Sequence, residues 1–388
     1  MKKKIAILGS TGSIGKSLLN ILSKNKNQFE IVLLTANKNY SELIKQTKKF
    51  KVKNVIINDP ICLKKFQKKN QNKKIKIFNN FEILDKIFKK RIDYAMSAIT
   101  GIDGLVPTIK IIRFTKKIAI ANKESIICGW NLILKNIKKY KTEFVPVDSE
   151  HFSIWYALKN TGNENINKIY LTASGGPLLN TPKFKMKNIN IKDVLNHPNW
   201  KMGKKITIDS ATMMNKVFEI IEAKNIFDLK FDKLKIIIHP KSYVHAIISF
   251  NDGMINLIAH DTTMKIPIFN TIYKNGGYFK KSNNLKIDKI NNLNLQKKIN
   301  LKKFPSIKVL KHIPKKISLF ETVVVSANDT LVKLYLNKKI AYYEIIPKLL
   351  KIISLKEFVK LKKISPKNVS EIIKLNKYVH FKITSKSV

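Results

Sequence analysis

Two short segments of this 388-residue chain bring carboxylates to spacings at which they can act together. In Pro146-Val147-Asp148-Ser149-Glu150-His151, Asp148 and Glu150 stand at i and i+2 directly after a strand-like run. Alternate residues there point to one side, so the pair can share a divalent cation; a solvated loop is the plain alternative. The second segment, Asp209-Ser210-Ala211-Thr212-Met213-Met214-Asn215-Lys216-Val217-Phe218-Glu219, adds weight to the metal reading. If Asp209 or Ser210 caps a helix, Asn215, Lys216 and Glu219 fall along one face, and Met213, Met214, Val217, Phe218, Ile220 and Ile221 cover much of the rest. An amide, an ammonium and a carboxylate inside an apolar helix are costly unless partnered. A metal ion with an anionic substrate would partner all three, whereas an ordinary i,i+3 ion pair would account only for Lys216 and Glu219.

A different chemistry is written in Gly9-Ser10-Thr11-Gly12-Ser13-Ile14-Gly15, between a strand-like run and an apolar helix. Glycines let the backbone approach a pyrophosphate, and the helix N-terminus supplies amide donors and a positive dipole. The spacing GxxGxxG is a relative of the dinucleotide fingerprint. Gly15-Lys16-Ser17 ends like a P-loop, but that motif needs glycine five residues before Gly15, where position 10 is serine. At the end of the second strand, Thr35-Ala36-Asn37-Lys38-Asn39 offers one cation and no carboxylate for ribose hydroxyls, which favours a 2′-phosphate and hence NADP(H).

Three more segments suit ligands. Thr172-Ala173-Ser174-Gly175-Gly176-Pro177 reads as a phosphate nest at a strand end. His197-Pro198-Asn199-Trp200-Lys201-Met202-Gly203 joins polar donors to a large aromatic, and reads equally as a surface turn anchored by Trp200. Asn122-Lys123-Glu124-Ser125 follows a strand, at the carboxyl edge of a sheet where open α/β folds place ligands. Glycine is scarce, 13 in 388 residues, about half of average usage. Its concentration in these loops marks places needing positive φ or close backbone approach.

The elements that must hold these loops follow from periodicity. Strand-like runs at 3–8, 30–35, 52–57, 93–98 and 117–121 alternate with helical stretches, as in a parallel, doubly wound sheet. From about 143 the texture changes, and runs at 144–147, 168–172, 235–239, 244–250 and 254–259 read as strands of a second, α+β domain. Residues 274–300, rich in Asn, Lys and Gly, read as a linker, and 301–388 as helices. The expected fold class is therefore α/β: an N-terminal Rossmann-like parallel sheet, a central α+β domain and a C-terminal helical domain.

Composition excludes other classes. A net charge of +49 invites nucleic acid, yet Arg91 and Arg113 are the only arginines, and base readout and phosphate clamps favour arginine. The lysines are spread along the chain among Asn and Ile, as an A/T-biased genome would leave them, so no nucleic-acid partner is expected. No stretch reaches the ~18–20 apolar residues of a membrane span. Met1-Lys2-Lys3-Lys4 imitates a signal-peptide start, but the apolar run after it is too short. Cys62 and Cys128 are too few for a disulfide framework. A soluble, cytoplasmic protein with no membrane partner is the expectation.

Taken together, GSTGSIG, ANKES, PVDSEH, ASGGP, HPNWKMGKK, DSATMMNKVFEIIEA and HPKSYVHA resemble the 1-deoxy-D-xylulose 5-phosphate reductoisomerase family. They stand in the family's order and spacing, from about residue 3 to Ser326-Ala327-Asn328-Asp329 and more weakly beyond. The resemblance implies isomerisation of 1-deoxy-D-xylulose 5-phosphate and reduction by NADPH to 2-C-methyl-D-erythritol 4-phosphate, with Mg²⁺ or Mn²⁺, in a homodimer. It implies an NADPH-binding domain over 1–147, a catalytic domain over 148–273 and a lid at about 185–205 that closes over the substrate. Carried over by motif, Asp148, Glu150 and Glu219 would hold the metal and, with Lys123, form the catalytic set. Thr11, Gly12, Ser13, Ile14, Asn37, Lys38, Asn39, Asn122, Glu124 and Gly203 would contact NADPH. Lys123, Ser149, Glu150, Ser174, His197, Trp200, Ser210, Asn215, Lys216 and Glu219 would bind the sugar phosphate. The family usually has glycine where Asn37 stands; asparagine tolerates left-handed φ better than most residues, so the turn is expected to persist. The rivals are another NADP-dependent dehydrogenase and a basic nucleic-acid binder.

Overall fold

A computed structural model describes residues 1–70, 74–159, 162–273, 293–296 and 299–385. Seven strands form the first sheet: β1 Lys3–Leu8, β2 Phe29–Ala36, β3 Asn54–Ile57, β4 Lys76–Phe78, β5 Tyr94–Ser97, β6 Lys117–Ile120 and β7 Glu143–Pro146. Their order is β4-β3-β2-β1-β5-β6-β7 and every pairing is parallel. Ile5, Ala6, Ile7 and Leu8 are fully buried, which explains the unbroken apolar run of β1: a parallel strand covered on both faces has no polar side. The chain winds outward from β1 in both directions, so the loops after β1 and β5 flank the switch point at which such sheets bind ligands.

Two details depart from the sequence reading. The run at 144–147 does not open the second domain. As β7 it pairs with β6, from Lys117 opposite Glu143 to Ile120 opposite Pro146, at the edge of the first sheet. Strand β4, three partly exposed residues, carries too short a pattern to read.

The second sheet has the order β11-β10-β8-β9, with β8 Ile166–Ala173, β9 Leu234–Ile238, β10 Val244–Phe250 and β11 Ile255–Ala259. β10 runs antiparallel to β8 and β11, whereas β8 and β9 are parallel. Its core joins Ile169, Leu171, Ala246 and Ile248 to Ile154 of helix Ser149–Ala157 and to Ile220, Ala223 and Phe227 of helix Met214–Phe227.

The chain divides into two compact units. One holds Met1–Ser125, Leu132–Asp148 and a segment starting at Met264; the other holds Ile126–Asn131, Ser149–Thr263 and the C-terminal segment. Helix Lys265–Ile272 thus sits with the first sheet and not with the segment expected to run to 273. Its Ile268, Phe269 and Ile272 share a core with Ile5 and Ile7, and Thr271 Oγ1 lies 2.7 Å from the Tyr94 hydroxyl. Of the expected linker at 274–300, all but 293–296, 299 and 300 lies outside the described residues. The C-terminal helices, among them Leu319–Leu336, Ile345–Ile353 and Val369–Ser385, belong to the second unit. Among the described residues no helix is long and apolar enough to cross a membrane.

Candidate active site

In the first unit the glycine loop is held by backbone contacts that leave no room for side chains. Gly9 has φ +80° and a Cβ there would lie 2.7 Å from the Ala98 carbonyl oxygen; at Gly15 it would lie 2.5 Å from the Ser10 Cα. The loop is tied down by Gly9 N–H donating to Thr35 Oγ1 (2.9 Å) and Ser10 N–H to the Thr35 carbonyl (2.9 Å). Buried Gln46 completes the clasp, accepting from Ser10 Oγ (2.7 Å) and donating to the Ser10 carbonyl (3.0 Å). The sequence reading missed Gln46, which lies in a lysine-rich amphipathic helix and has no motif around it. Gly12 caps helix Ser13–Ser23 without a side-chain bond. Thr11, Gly12, Ser13 and Ile14 thus stand at a helix N-terminus with first-turn amides available to an anion.

At the end of β2, Asn37, Lys38 and Asn39 are exposed. Asn39 caps helix Tyr40–Phe50, its Oδ1 accepting from Glu42 N–H (3.2 Å). Asn37 is not among the residues with positive φ, so this turn makes no use of asparagine's left-handed tolerance. Asn122 caps helix Lys123–Tyr140, its Oδ1 accepting from Ser125 N–H (2.6 Å) while its amide donates to the carbonyls of Ile99 and Gly101. That side chain is committed to the protein itself. Lys123 and Glu124 open the same helix and are buried, and the Lys123 ammonium lies 3.1 Å from the Asp148 carboxylate just beyond β7.

In the second unit the chain continues into helix Ser149–Ala157, where Ser149 Oγ donates to Glu150 Oε2 (2.6 Å). Glu219 comes from helix Met214–Phe227 and is 1% exposed, and one of its carboxylate oxygens lies within 4.8 Å of one from Glu150. The Lys216 ammonium joins both acids, 3.1 Å from Glu150 Oε1 and paired with Glu219 Oε2, and Asn215 donates to Glu219 Oε1. The helix does not start at Asp209 or Ser210, as the sequence reading supposed. Both lie in the preceding helix Lys204–Ala211, and Met213 caps the next one with φ 61°. The polar stripe of Asn215, Lys216 and Glu219 survives that shift because it depends on spacing alone.

A second pair, whose sequence signal is only the His after DSE, lies behind the acids. Fully buried His151 places Nε2 2.9 Å from the Glu219 carbonyl oxygen, and Nδ1 3.4 Å from the Glu222 carboxylate. Since a carbonyl only accepts, Nε2 carries a proton.

Three donors for an anion converge next to these helices. His197 Nε2 lies 3.1 Å from Ser174 Oγ and 3.2 Å from Ser210 Oγ. Its Nδ1 accepts from the backbone N–H groups of Asn199 (3.2 Å) and Trp200 (3.1 Å), which fixes the proton of the neutral ring on Nε2. Burial pushes this imidazole down to about 4. The approach of Ser174 to Ser210 depends on Gly176, at φ +71°, where a Cβ would stand 2.5 Å from the Ser210 carbonyl oxygen. The stretch at 185–205 contains turns, the short helix Ile191–Leu195 and the start of helix Lys204–Ala211. Gly203 caps that helix with φ −67° and open space around it. Trp200, half-buried, meets the His245 ring edge-on at 6.0 Å, and Asn199 donates to Ser242 Oγ (3.2 Å).

A parallel sheet with a glycine cradle at its switch point, followed by a second unit with paired carboxylates, defines a dinucleotide-binding α/β enzyme. The family models for 1-deoxy-D-xylulose 5-phosphate reductoisomerase match residues 5–129, and those for its C-terminal domains match 144–227 and 261–380. The chain belongs to the 1-deoxy-D-xylulose 5-phosphate reductoisomerase family. It is 60% identical over 388 residues, the whole of both chains, to the reductoisomerase of Pelagibacter ubique. It is 38% identical over 344 residues to that of Caldanaerobacter subterraneus, covering 88% of this chain and 90% of the relative. A crystal structure of DOX-P reductoisomerase in complex with NADPH, fosmidomycin and magnesium is similar at a TM-score of 0.91 and 29% identity, covering 99% of this chain and 98% of that one. The Zymomonas mobilis reductoisomerase in complex with NADPH is similar at a TM-score of 0.87 and 26% identity, covering 100% and 99%.

Proposed function

We infer that this chain catalyses the NADPH-dependent rearrangement and reduction of 1-deoxy-D-xylulose 5-phosphate to 2-C-methyl-D-erythritol 4-phosphate, in the non-mevalonate route to isoprenoid precursors. The observation that carries the reading is the convergence of Glu150 and Glu219 on one ammonium ion, in the unit that also gathers Ser174, His197 and Ser210. Oxygen donors alone suit a hard cation such as Mg²⁺ or Mn²⁺, and Asp148, two residues before Glu150, would complete the set. The cradle around Gly9 and Gly15, which any Cβ would fill, suits a pyrophosphate.

When bound, the cation would supply Lewis acidity and the nicotinamide a hydride. The chain's own groups do the rest. Ser13 and Ile14 present first-turn amides to the pyrophosphate, Lys38 and Asn39 meet the 2′-phosphate, and Asn37, Asn122, Glu124 and Gly203 complete the cofactor's surroundings. Ser174, His197, Ser210, Asn215 and Lys216 receive the substrate's phosphate, with His197 donating from Nε2. Ser149 orients Glu150 through its hydroxyl, and Lys123 steadies negative charge on the substrate's oxygen. Trp200 covers the bound sugar. Loss of NADPH absorbance with purified protein, deoxyxylulose phosphate and Mg²⁺ tests the reading; a flat trace would sink it.

We also propose a cytoplasmic homodimer. Strand β11 is the outer strand of its sheet, and Met254 and Ile255 at its start are 64% and 63% exposed. An apolar edge of this kind calls for a cover, and a second copy supplies one with two-fold symmetry. Sedimentation equilibrium at the mass of one chain would overturn the dimer.

A further inference from the structure

We infer that Asn328 and Asp329, on helix Leu319–Leu336, are positioning residues for the substrate's phosphate. The inference rests on the reading of Ser210 as a phosphate ligand given above. Ser210 lies in the last turn of helix Lys204–Ala211. Its neighbour Asp209 is 1% exposed, and its two carboxylate oxygens are held separately. Oδ1 accepts from the Asn328 amide at 2.8 Å, and Oδ2 pairs with the Lys205 ammonium at 2.9 Å. That ammonium also lies 3.0 Å from Asp329 Oδ1. Helix Leu319–Leu336 therefore grips helix Lys204–Ala211 at both ends, at Lys205 in its first turn and at Asp209 in its last.

The grip extends past Ser210. Tyr342 donates its hydroxyl to the Ala211 carbonyl (2.8 Å) and Ser306 donates to the Thr212 carbonyl (2.5 Å). Met213 then turns the chain, at φ 61°, into the helix bearing Asn215 and Lys216. If helix packing were the only requirement, apolar side chains at 209 and 328 would do it without desolvating a carboxylate and an amide. What the polar contacts add is a single rotational setting of the helix, because hydrogen bonds are directional and apolar contacts are not. That setting keeps Ser210 Oγ within 3.2 Å of His197 Nε2. Asn328 and Asp329 act through Asp209 and Lys205 on Ser210.

The test compares Asn328→Leu, Asp329→Asn, the exchange Asp209→Asn with Asn328→Asp, and Ser210→Ala. Steady-state kinetics, the NADPH dissociation constant and competition by inorganic phosphate are measured for each. Asn328→Leu and Asp329→Asn should raise KM for deoxyxylulose phosphate about tenfold and weaken inorganic phosphate similarly, the scale of one hydrogen bond. Their kcat should stay within about threefold and NADPH affinity should be unchanged, a split that a general loss of folding would not give. The exchange restores an amide-to-carboxylate bond in the opposite sense but takes the Asp209 charge from Lys205, so it should recover part of the KM lost in Asn328→Leu. Should Asn328→Leu fail to fold, Asp329→Asn decides. If Ser210→Ala raises KM while Asp329→Asn and any folded Asn328→Leu leave it at the wild-type value, the positioning role is overturned and the phosphate reading stands. If Ser210→Ala itself leaves KM and phosphate competition unchanged, the phosphate reading fails, and the positioning role with it.

Discussion

The Lys216 ammonium lies 3.1 Å from the Glu150 carboxylate and pairs at the same time with Glu219, three residues along its own helix. One lysine thus partly offsets the charge of two acids proposed to hold a divalent cation, and ammonium and cation must compete for the same oxygens. Lys216→Ala should therefore have opposite effects on the two ligands. KM for the phosphorylated substrate should rise, since a charge-assisted donor is lost. Mn²⁺ binding without substrate should tighten roughly threefold or more, since a like charge at close range is removed. Manganese titration followed by electron paramagnetic resonance checks the second half; equal or weaker Mn²⁺ binding contradicts the shared role.

Glu219 carries a sharper expectation. It is almost fully buried, with Asn215 and Lys216 both turned onto it. Glu219→Gln keeps its shape and removes the charge that a hard cation needs. Turnover should fall by roughly a thousandfold, on the scale of losing a principal electrostatic group, while NADPH titration by fluorescence stays as in wild type. Full activity after EDTA treatment would refute the metal assignment for Asp148, Glu150 and Glu219 alike.

Cofactor choice is readable at the end of β2, where Lys38 is exposed next to the helix N-terminus capped by Asn39. A 2′-phosphate there meets a cation and amide dipoles together, so NADPH should be preferred over NADH at least about tenfold in kcat/KM, or ~1.4 kcal/mol. Lys38→Glu should erode the preference. Equal kcat/KM for the two cofactors would rule out this basis for selectivity.

How much of this was legible in the sequence depends on range. Ser13–Ser23 declares itself through local apolar periodicity, the stripe of Asn215, Lys216 and Glu219 through its spacing in an apolar run, and Gly9 and Gly15 through a spacing that only close backbone approach explains. Gln46 did not show, because its role comes from a contact with Ser10, 36 positions away. The His151–Glu222 pair stayed hidden for the same reason, with 3.4 Å between atoms that are distant in sequence. The strand at 144–147 was misplaced because a short apolar run says nothing about which sheet it joins; its pairing with β6 is tertiary. The start of the helix that carries Glu219 was misread because Ser and Asp are the usual caps, whereas here Met213 takes left-handed φ under tertiary constraint.

Acid stability follows from the imidazoles. His197, pushed down to about 4 by burial, stays neutral in the folded protein at pH values where the unfolded chain protonates, below 6.5. The unfolded state then binds more protons, so this contribution is complete above about 6.5 and is lost as pH falls toward 4. His239 and His260, also lowered by burial, act with the same sign. The urea midpoint should fall between pH 7 and pH 5, and His197→Asn should flatten that slope. A variant with the wild-type slope would show that His197 is not the source.

The last prediction concerns the segment around Trp200. Its backbone N–H donates to His197 Nδ1, the ring whose Nε2 faces Ser174 and Ser210, so the tryptophan and the proposed phosphate donors share one side chain. Any movement of His197 toward a bound phosphate must carry Trp200 with it. The indole meets the His245 ring edge-on and is half-buried, so part of its surface stays open to solvent. Closure of such a segment would exclude water from a bound sugar phosphate. Trp200 emission should therefore shift when substrate or a phosphonate mimic joins the NADPH-bound enzyme. Trp130, which is buried, and Trp155, which packs against Phe152 at 5.7 Å, must first be replaced by Phe to isolate the signal. Trp200→Ala should weaken substrate binding and lower kcat, with the urea midpoint nearly unchanged. An unaltered spectrum at saturation, together with wild-type kinetics for Trp200→Ala, would reduce the segment to a surface turn.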